Sequence, residues 1–224
     1  MTTKKLAVVS IILVLAMVGV SVWVAALLPG DARLPIHWDA NGQPNGFAGK
    51  WTALLMPAGI TAILSILFYC LPALEPRQKH LQRSQGLVLA AWAGLLLVNV
   101  AFEVAIVSGA LHGTVPVQGL MLVVVGIFFV LIGNQFGKSR SMFLVGIRTP
   151  WTLSSEDVWI KTNRLGGKVT MIAGVVMVIA AFAPLPGRAV PAMVIALAAV
   201  MVAVPFIYSY LLWRREQASG HISG

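Results

Sequence analysis

Six long apolar runs follow one another along the chain and are separated by shorter polar connections. A helix needs about 20 mostly apolar residues to cross a bilayer, and lipid offers no partner to an unpaired backbone amide. The pattern therefore predicts an all-α integral membrane protein with six transmembrane helices. The predicted helices cover approximately residues 6–28, 52–72, 87–108, 115–134, 168–184 and 189–213.

The composition narrows the class of protein further. Hydrophobic residues make up 58% of the 224-residue chain and charged residues only 10%, whereas a soluble domain carries about 25% charged residues. This deficit excludes an ordinary soluble domain, and the apolar content excludes a disordered chain. The first apolar run is longer than the core of about 7–15 residues found in a signal peptide, so we expect it to be retained as a helix.

The distribution of basic residues predicts the orientation in the membrane. All but three of the 16 Lys and Arg residues lie on the same side as the two termini, and the exceptions are Arg33, Lys50 and Arg188. Basic residues are retained on the cytoplasmic side of a membrane, so both termini are predicted to be cytoplasmic. The net charge of +9 is read as this topology signal, and no direct binding of nucleic acid is expected.

The connection between the first two helices, residues 29–50, is predicted to form an outer polar loop. Residues 34–39 are typical of a short extended segment that contains Pro35. The pairs Asn41-Gly42 and Asn45-Gly46 are turn signals.

Three polar residues of this outer loop would point the same way in an extended segment: His37, Asp39 and Asn41. They would form either an outward-facing polar or metal-binding cluster, or a turn-rich cap in which Asp39 and Asn41 bond to their own backbone. The cap is favoured because one His and one Asp make a poor metal site. No metal is therefore expected.

The connection between the fourth and fifth helices, residues 135–168, is the longest polar segment on the inner side. Ser154 and Asp157 have the S-x-x-[DE] spacing of a helix N-terminus. This spacing predicts a short helix over about residues 155–164.

Aromatic and basic side chains predict the position of this inner segment. Trp159 and Thr162 share one face of the predicted helix, and Trp151 and Trp159 bracket its start. Tryptophan is favoured at the membrane–water boundary, so the helix is expected to be interfacial. Arg148 and Arg164 would bind lipid phosphate or an acidic partner; alternatively, Arg148 caps helix carbonyls and the tryptophans only anchor the loop.

One acidic residue lies within the predicted spans. Glu103 is in the third helix, and Asn99 lies one turn earlier on the same face. An ionisable residue inside a membrane is costly and is therefore a functional candidate. Glu103 lies near the outer end of its helix, so we expect either a structural pairing with Arg33, His37 or Lys50, or a direct role in ligand or proton handling.

The sequence contains no familiar catalytic motif. It has no Walker loop, no H-E-x-x-H, no G-x-S-x-G and no second carboxylate within the spans to pair with Glu103. The single cysteine, Cys70, cannot form an intrachain disulfide or a cysteine-based metal cluster. The sequence therefore predicts a protein that is not an enzyme and needs no cofactor.

The inner segment and the end of the fourth helix carry a run of Gly, Thr, Trp and basic residues: Gly133, Asn134, Lys138, Gly146, Arg148, Thr149, Pro150, Trp151, Thr152, Trp159, Thr162 and Arg164. In these residues the chain resembles the signature of the SdpI family of bacterial immunity proteins. The outer segment from Leu34 to Gly42 is similar to a small uncharacterised domain that often precedes that family. Two regions are expected on this basis, an N-terminal helix hairpin with the outer loop (1–72) and a four-helix region with the inner loop (73–224).

The resemblance implies a location, partners and a function. It places the chain as a multi-pass protein in the bacterial cytoplasmic membrane, in contact with membrane lipid. An antimicrobial peptide would be met outside, and a cytoplasmic transcriptional repressor would be held by the inner segment. The chain would then give resistance to a secreted peptide and transmit a signal. The alternative is a small transporter or channel with a site around Glu103 and Asn99.

Overall fold

Seven helices and two strands make up the part of the chain described by the structure, a computed structural model: residues 2–39, 41–74, 84–113, 116–138, 146–185 and 188–219. In chain order they are α1 (Thr3–Leu27), β1 (Arg33–Trp38), β2 (Pro44–Gly49), α2 (Lys50–Leu74), α3 (Gln85–His112), α4 (Val117–Phe136), α5 (Pro150–Ser154), α6 (Glu156–Ala180) and α7 (Ala189–Ala218).

Six of these helices are long and apolar enough to cross a membrane, which confirms the predicted number of spans by length and composition. The shortest, α4, has 20 residues, and a helix of that length extends about 30 Å, the thickness of the hydrocarbon core. Large apolar side chains cover the outside of the helices; Ile63 and Ile195, for example, are 67% and 69% exposed. Such a surface suits a lipid environment and would be costly in water.

The six long helices pack in two groups joined at α3. Helix α1 contacts α2 and α3, and α2 also contacts α3. Helix α4 then packs between α3 and α6, and α7 packs against α6. Few residues of α7 are buried, so it lies at the periphery of the bundle and is held mainly by α6 and α5.

Glycine pairs bring α4 and α6 unusually close together. A Cβ atom added to Gly126 would lie 2.6 Å from the carbonyl oxygen of Gly174, and one added to Gly133 would lie 2.7 Å from that of Gly167. The two backbones therefore touch at points seven residues apart on each helix. Close approach through small residues is a common way for membrane helices to associate, because lipid provides no hydrophobic force to drive them together.

The outer loop folds into an antiparallel β-hairpin, which the prediction of an all-α protein did not include. The extended segment predicted over residues 34–39 is confirmed as β1, and the turn at Asn41-Gly42 is confirmed by a φ of +78° at Gly42. The turn predicted at Asn45-Gly46 is wrong, because both residues lie inside β2, where Gly46 pairs with His37 and Asn45 falls at an irregularity in the register. Cross-strand pairing overrides the weak strand propensity of this Pro-, Asn- and Gly-containing segment.

The helix boundaries on the inner side also differ from the prediction. The separate helix predicted over 155–164 is wrong, because α6 runs unbroken through it from Glu156 to Ala180. Its N-cap is Ser155 rather than Ser154, and the Ser155 hydroxyl accepts a hydrogen bond from the Val158 amide at 3.3 Å. Residues 150–168 of the predicted long loop are therefore almost entirely helical, and residues 139–145 lie outside the described part of the chain.

Candidate functional site: a hydrogen-bonded motif and a cavity under the hairpin

The motif on residues 133–164 contains a backbone conformation that favours glycine. Gly146 has a φ of +124°, and a Cβ atom there would lie 2.5 Å from the ring of Trp159. A larger residue would be strained at this position, because the backbone is left-handed and the indole is in close contact. The chain can therefore pass directly over Trp159 before α5 begins.

Asn163 holds the next residue of this motif in place. Its side-chain oxygen accepts a hydrogen bond from the Ile147 amide at 2.9 Å, and its side-chain nitrogen donates to the Trp159 carbonyl at 3.0 Å. Asn163 is fully buried, so both bonds form away from water, where an unmade bond is costly. Asn163 was not among the predicted site residues, although its position four residues after Trp159 places the two on one helix face.

A pair of threonines closes the motif and joins it to α7. The Thr149 amide donates to the Thr152 hydroxyl at 2.8 Å, and the Thr152 amide donates to the Thr149 hydroxyl at 3.1 Å, which caps α5. The Thr149 hydroxyl then donates to the Ser209 hydroxyl at 3.1 Å, and Ser209 donates to the Phe206 carbonyl at 2.7 Å. Ser209 is 60 residues away in sequence, and no local pattern indicated it.

The two tryptophans of the motif have different environments. Trp151 is half-buried and packs its ring against those of Phe206 and Tyr210, each with a centroid separation of 5.1 Å. Trp159 has no exposed surface. Trp159 is therefore enclosed by the protein, because the motif folds over it, and its position at the membrane–water boundary stays a prediction. Thr162 shares the buried face of α6, as predicted.

The remaining motif residues divide into packing positions and an exposed polar surface. Gly133 is buried at the α4–α6 contact. The motif thus holds a rigid segment whose outer surface is rich in positive charge and polar groups. The exposed motif residues are Asn134, Lys138, Arg148, Pro150 and Arg164.

At the opposite end of the bundle, the polar residues of the hairpin support the cap and not a cluster. The Asp39 carboxylate accepts hydrogen bonds from the Asn41 and Gln43 amides at 2.8 and 2.9 Å. The bond from the Gln43 backbone, with the Asn41 bond, holds the pKa of Asp39 below its ordinary value. His37 contacts the Asn45 side chain across the hairpin through Nδ1. Asp39 and His37 therefore have separate structural partners.

The hairpin is anchored by apolar contacts. Leu34 is buried among residues of α1, α2 and α3 that include Val24, Leu54 and Ile106. Pro35 beside it is half-buried. The hairpin is thus fixed over the ends of three helices, so its polar turn is held at a defined position above the bundle.

Glu103 is buried below the hairpin, and its partner is not the one expected. The Ser21 hydroxyl contacts Glu103 Oε1 at 2.9 Å and the Leu54 carbonyl at 2.8 Å, and Glu103 Oε2 has no hydrogen-bond partner among the described residues. The expected pairing with Arg33, His37 or Lys50 is wrong. The Lys50 ammonium, for instance, donates to the carbonyls at the end of α1. Backbone carbonyls at a helix end offer that cation an alternative partner.

A cavity of about 850 Å³ lies directly under the hairpin, and its volume falls in the range typical of ligand pockets. Residues of β1, α2, α3, α4, α6 and α7 line it, and most of the lining is apolar. Asn99 and Gln118 contribute polar groups, and Asp39 lies at the hairpin end. Ile195 of α7 lines the cavity and is largely exposed, so the cavity is open along α7.

Asn99 and Glu103, the polar residues predicted to form a site within the membrane, do not meet in this cavity. Asn99 lines it, but its amide nitrogen donates to the Leu95 carbonyl of its own helix at 2.9 Å. Glu103 is one turn further along α3 and is turned toward α1, where it contacts Ser21. Within the described ranges, no group of three His, Cys, Asp or Glu residues is placed to hold a metal ion.

These features define a multi-pass helical membrane protein with a roofed cavity at one end and a hydrogen-bonded motif at the other. Residues 138–209 match the SdpI/YfhL protein family, and residues 12–61 match a domain of unknown function, DUF1648. The matches confirm the predicted resemblance to the SdpI family with its preceding small domain. The chain is also 25% identical over 212 residues to the immunity protein SdpI of Bacillus subtilis (strain 168), which covers 95% of this chain and 98% of that protein. No solved structure matches the chain at a significant level.

Proposed function

We propose that this protein is an integral membrane immunity protein that protects a bacterium from a secreted antimicrobial peptide. The similarity to an immunity protein along nearly the whole chain supports this function. The observation that carries it is the cavity under the hairpin, because a membrane-active peptide presents an apolar face that such a cavity can take up. In this proposal the protein is not an enzyme and acts by binding.

The cavity has the chemistry that an amphipathic peptide requires. Its walls, which include Met121 and Val194, are apolar, while Asn99 and Gln118 add polar side chains to the lining. The turn held by Asp39 forms the polar edge. An amphipathic peptide would place its apolar side chains between the helices and its polar backbone or side chains at the hairpin, so that both halves are matched.

The proposed orientation places this cavity on the outer side of the cytoplasmic membrane. The bias of basic residues toward the termini supports that orientation. A peptide that arrives from outside would then reach the cavity directly from the outer leaflet. The hairpin would be the first part of the protein that the peptide meets.

A second function at the inner face is sequestration of a transcriptional repressor. The exposed residues Arg148 and Arg164 support it, because they lie on a segment that buried hydrogen bonds hold rigidly. A rigid basic surface favours an acidic segment of a partner protein. The bond from Thr149 to Ser209 joins this surface to α7, whose other end lines the cavity.

The transporter or channel remains a weaker alternative. It would use Asn99 and Glu103 together, but only Asn99 lines the cavity, and Glu103 contacts Ser21 instead. A pathway between the two would require α1 and α3 to separate. Substrate-dependent flux in proteoliposomes that is abolished by Glu103→Gln would favour transport over immunity.

The decisive experiment is a protection assay with a filled cavity. A sensitive bacterium would express the wild type, Val194→Trp and Val200→Trp at matched membrane levels, and would be titrated with membrane-active killing peptides. Both valines are exposed on α7, but only Val194 lines the cavity. We expect protection from the wild type and Val200→Trp, and loss of protection from Val194→Trp. Equal protection by all three would reject the cavity as the binding site, and no protection by any would reject immunity to the peptides tested.

A further inference from the structure

A second apolar groove lies between α1 and α2, at the end of the bundle opposite the hairpin. Its volume is about 540 Å³, and the proposed function makes no use of it. Exposed apolar side chains form its walls, among them Ile11 and Ile66, which are 61% and 64% exposed. Lys4 is the first residue of α1 that lines it, and we call this end the mouth of the groove.

The floor of this groove is well ordered by side-chain contacts. Trp92 of α3 is fully buried beneath it, stacks on Phe68 with ring centroids 5.9 Å apart, and donates to the Ser65 hydroxyl at 3.3 Å. At the mouth, the Gln85 side chain donates to Thr3 at 3.3 Å and ties the start of α1 to α3. The groove is thus a fixed feature of the packed helices.

The length of the groove corresponds to one leaflet of the membrane. Its lining on α1 extends from Lys4 to Leu15, and at about 1.5 Å per residue this distance is roughly 16 Å. Half of a hydrocarbon core of about 30 Å is nearly the same distance. An acyl chain from the leaflet on the Lys4 side can therefore lie along the whole groove.

The charge at the mouth selects the headgroup. Lys4 is exposed, and the described residues that line the groove include no Asp or Glu. A positive mouth above an apolar groove matches a phosphate above an acyl chain, and basic pockets between transmembrane helices are known to hold anionic headgroups. We propose that this groove binds one anionic phospholipid, with an acyl chain between α1 and α2 and its phosphate at Lys4.

The test counts retained lipid on the full-length protein. The protein would be reconstituted with equal amounts of phosphatidylglycerol and phosphatidylcholine of identical acyl chains, extracted in detergent, and weighed by native mass spectrometry. We expect the wild type to retain phosphatidylglycerol in preference to phosphatidylcholine. Lys4→Gln should reduce that preference about fivefold, since one lysine near a membrane surface contributes about 1 kcal/mol.

Two adjacent positions supply matched controls. Lys5→Gln removes the same charge without changing the lining of the groove and should keep the preference of the wild type. Ala7→Phe should fill the groove and abolish retention of both lipids, whereas Val9→Phe, which lies outside the groove, should not. The proposal would be overturned if Lys4→Gln and Lys5→Gln lost the lipid preference equally, or if Ala7→Phe retained as much lipid as the wild type. It would also be overturned if these variants changed dimer formation and left lipid binding unchanged.

Discussion

The close packing of α4 on α6 predicts that one added methyl group will destabilise the protein at some glycines of α4 and not at others. Gly119, Gly126 and Gly133 are spaced seven residues apart on α4. An added Cβ would lie 3.8 Å from the nearest atom at Gly119, an ordinary contact, but only 2.6 Å at Gly126. Replacing each glycine in turn with alanine therefore tests the contact with the backbone of α6 directly.

The expected loss of stability in Gly126→Ala follows from the overlap at that position. Ordinary van der Waals contact begins near 3.4 Å, so the two helices would have to separate locally by roughly 0.8 Å. Overpacking of this kind costs about 1–3 kcal/mol. Alanine also has a higher helix propensity than glycine, by up to about 1 kcal/mol. That gain is common to Gly119→Ala and Gly126→Ala, so the difference between the two variants should be about 1–3 kcal/mol.

The assay is unfolding in detergent, by heat or by denaturant, followed by circular dichroism. We expect Gly119→Ala to be as stable as the wild type or more stable, and Gly126→Ala to be less stable than both. The double variant Gly126→Ala with Gly133→Ala should lose less than the sum of the single losses, because one separation of the helices relieves both overlaps. If Gly119→Ala and Gly126→Ala lost equal stability, the proposed backbone contact would not be the cause.

Three further predictions concern the two ends of the bundle. Ser21→Ala should cost about 1–3 kcal/mol because it leaves the buried Glu103 carboxyl without its hydrogen bond; unfolding measurements should show a smaller cost in a Glu103→Leu background, and equal costs would contradict the pairing. Gly146→Ala should lower the free energy of unfolding by about 1–3 kcal/mol, since it combines a φ of +124° with an overlap on Trp159; a melting curve identical to that of the wild type would refute this. The hydrogen bonds that lower the pKa of Asp39 stabilise the turn at pH values above the ordinary pKa of an aspartate, and this stability should be lost as the pH falls through the lowered pKa of the folded state. An NMR titration that gives Asp39 the pKa of an unstructured aspartate would count against it, and Asp39→Asn should remove the pH dependence of the turn.

The number of long helices and the broad class of the protein could be predicted from the sequence. Transmembrane helices satisfy their own backbone hydrogen bonds, so their existence depends on local apolar length and not on their neighbours. Local turn chemistry likewise identified the turn at Asn41-Gly42 and the extended segment before it. The motif residues that carry the family resemblance could also be read directly, because they lie close together in the chain.

The contacts between residues that lie far apart in the chain could not be predicted in this way. The partner of Glu103 is 82 residues away at Ser21, and the partner of Thr149 is 60 residues away at Ser209. Serine is common in helices and has no pattern that identifies its partner, so neither contact could be read from local spacing. The second strand of the hairpin could not be predicted from local sequence either, because pairing with β1 outweighs its own weak strand propensity. The cavity and the groove are spaces between packed helices, and such spaces exist only once the packing has fixed how closely the helices approach.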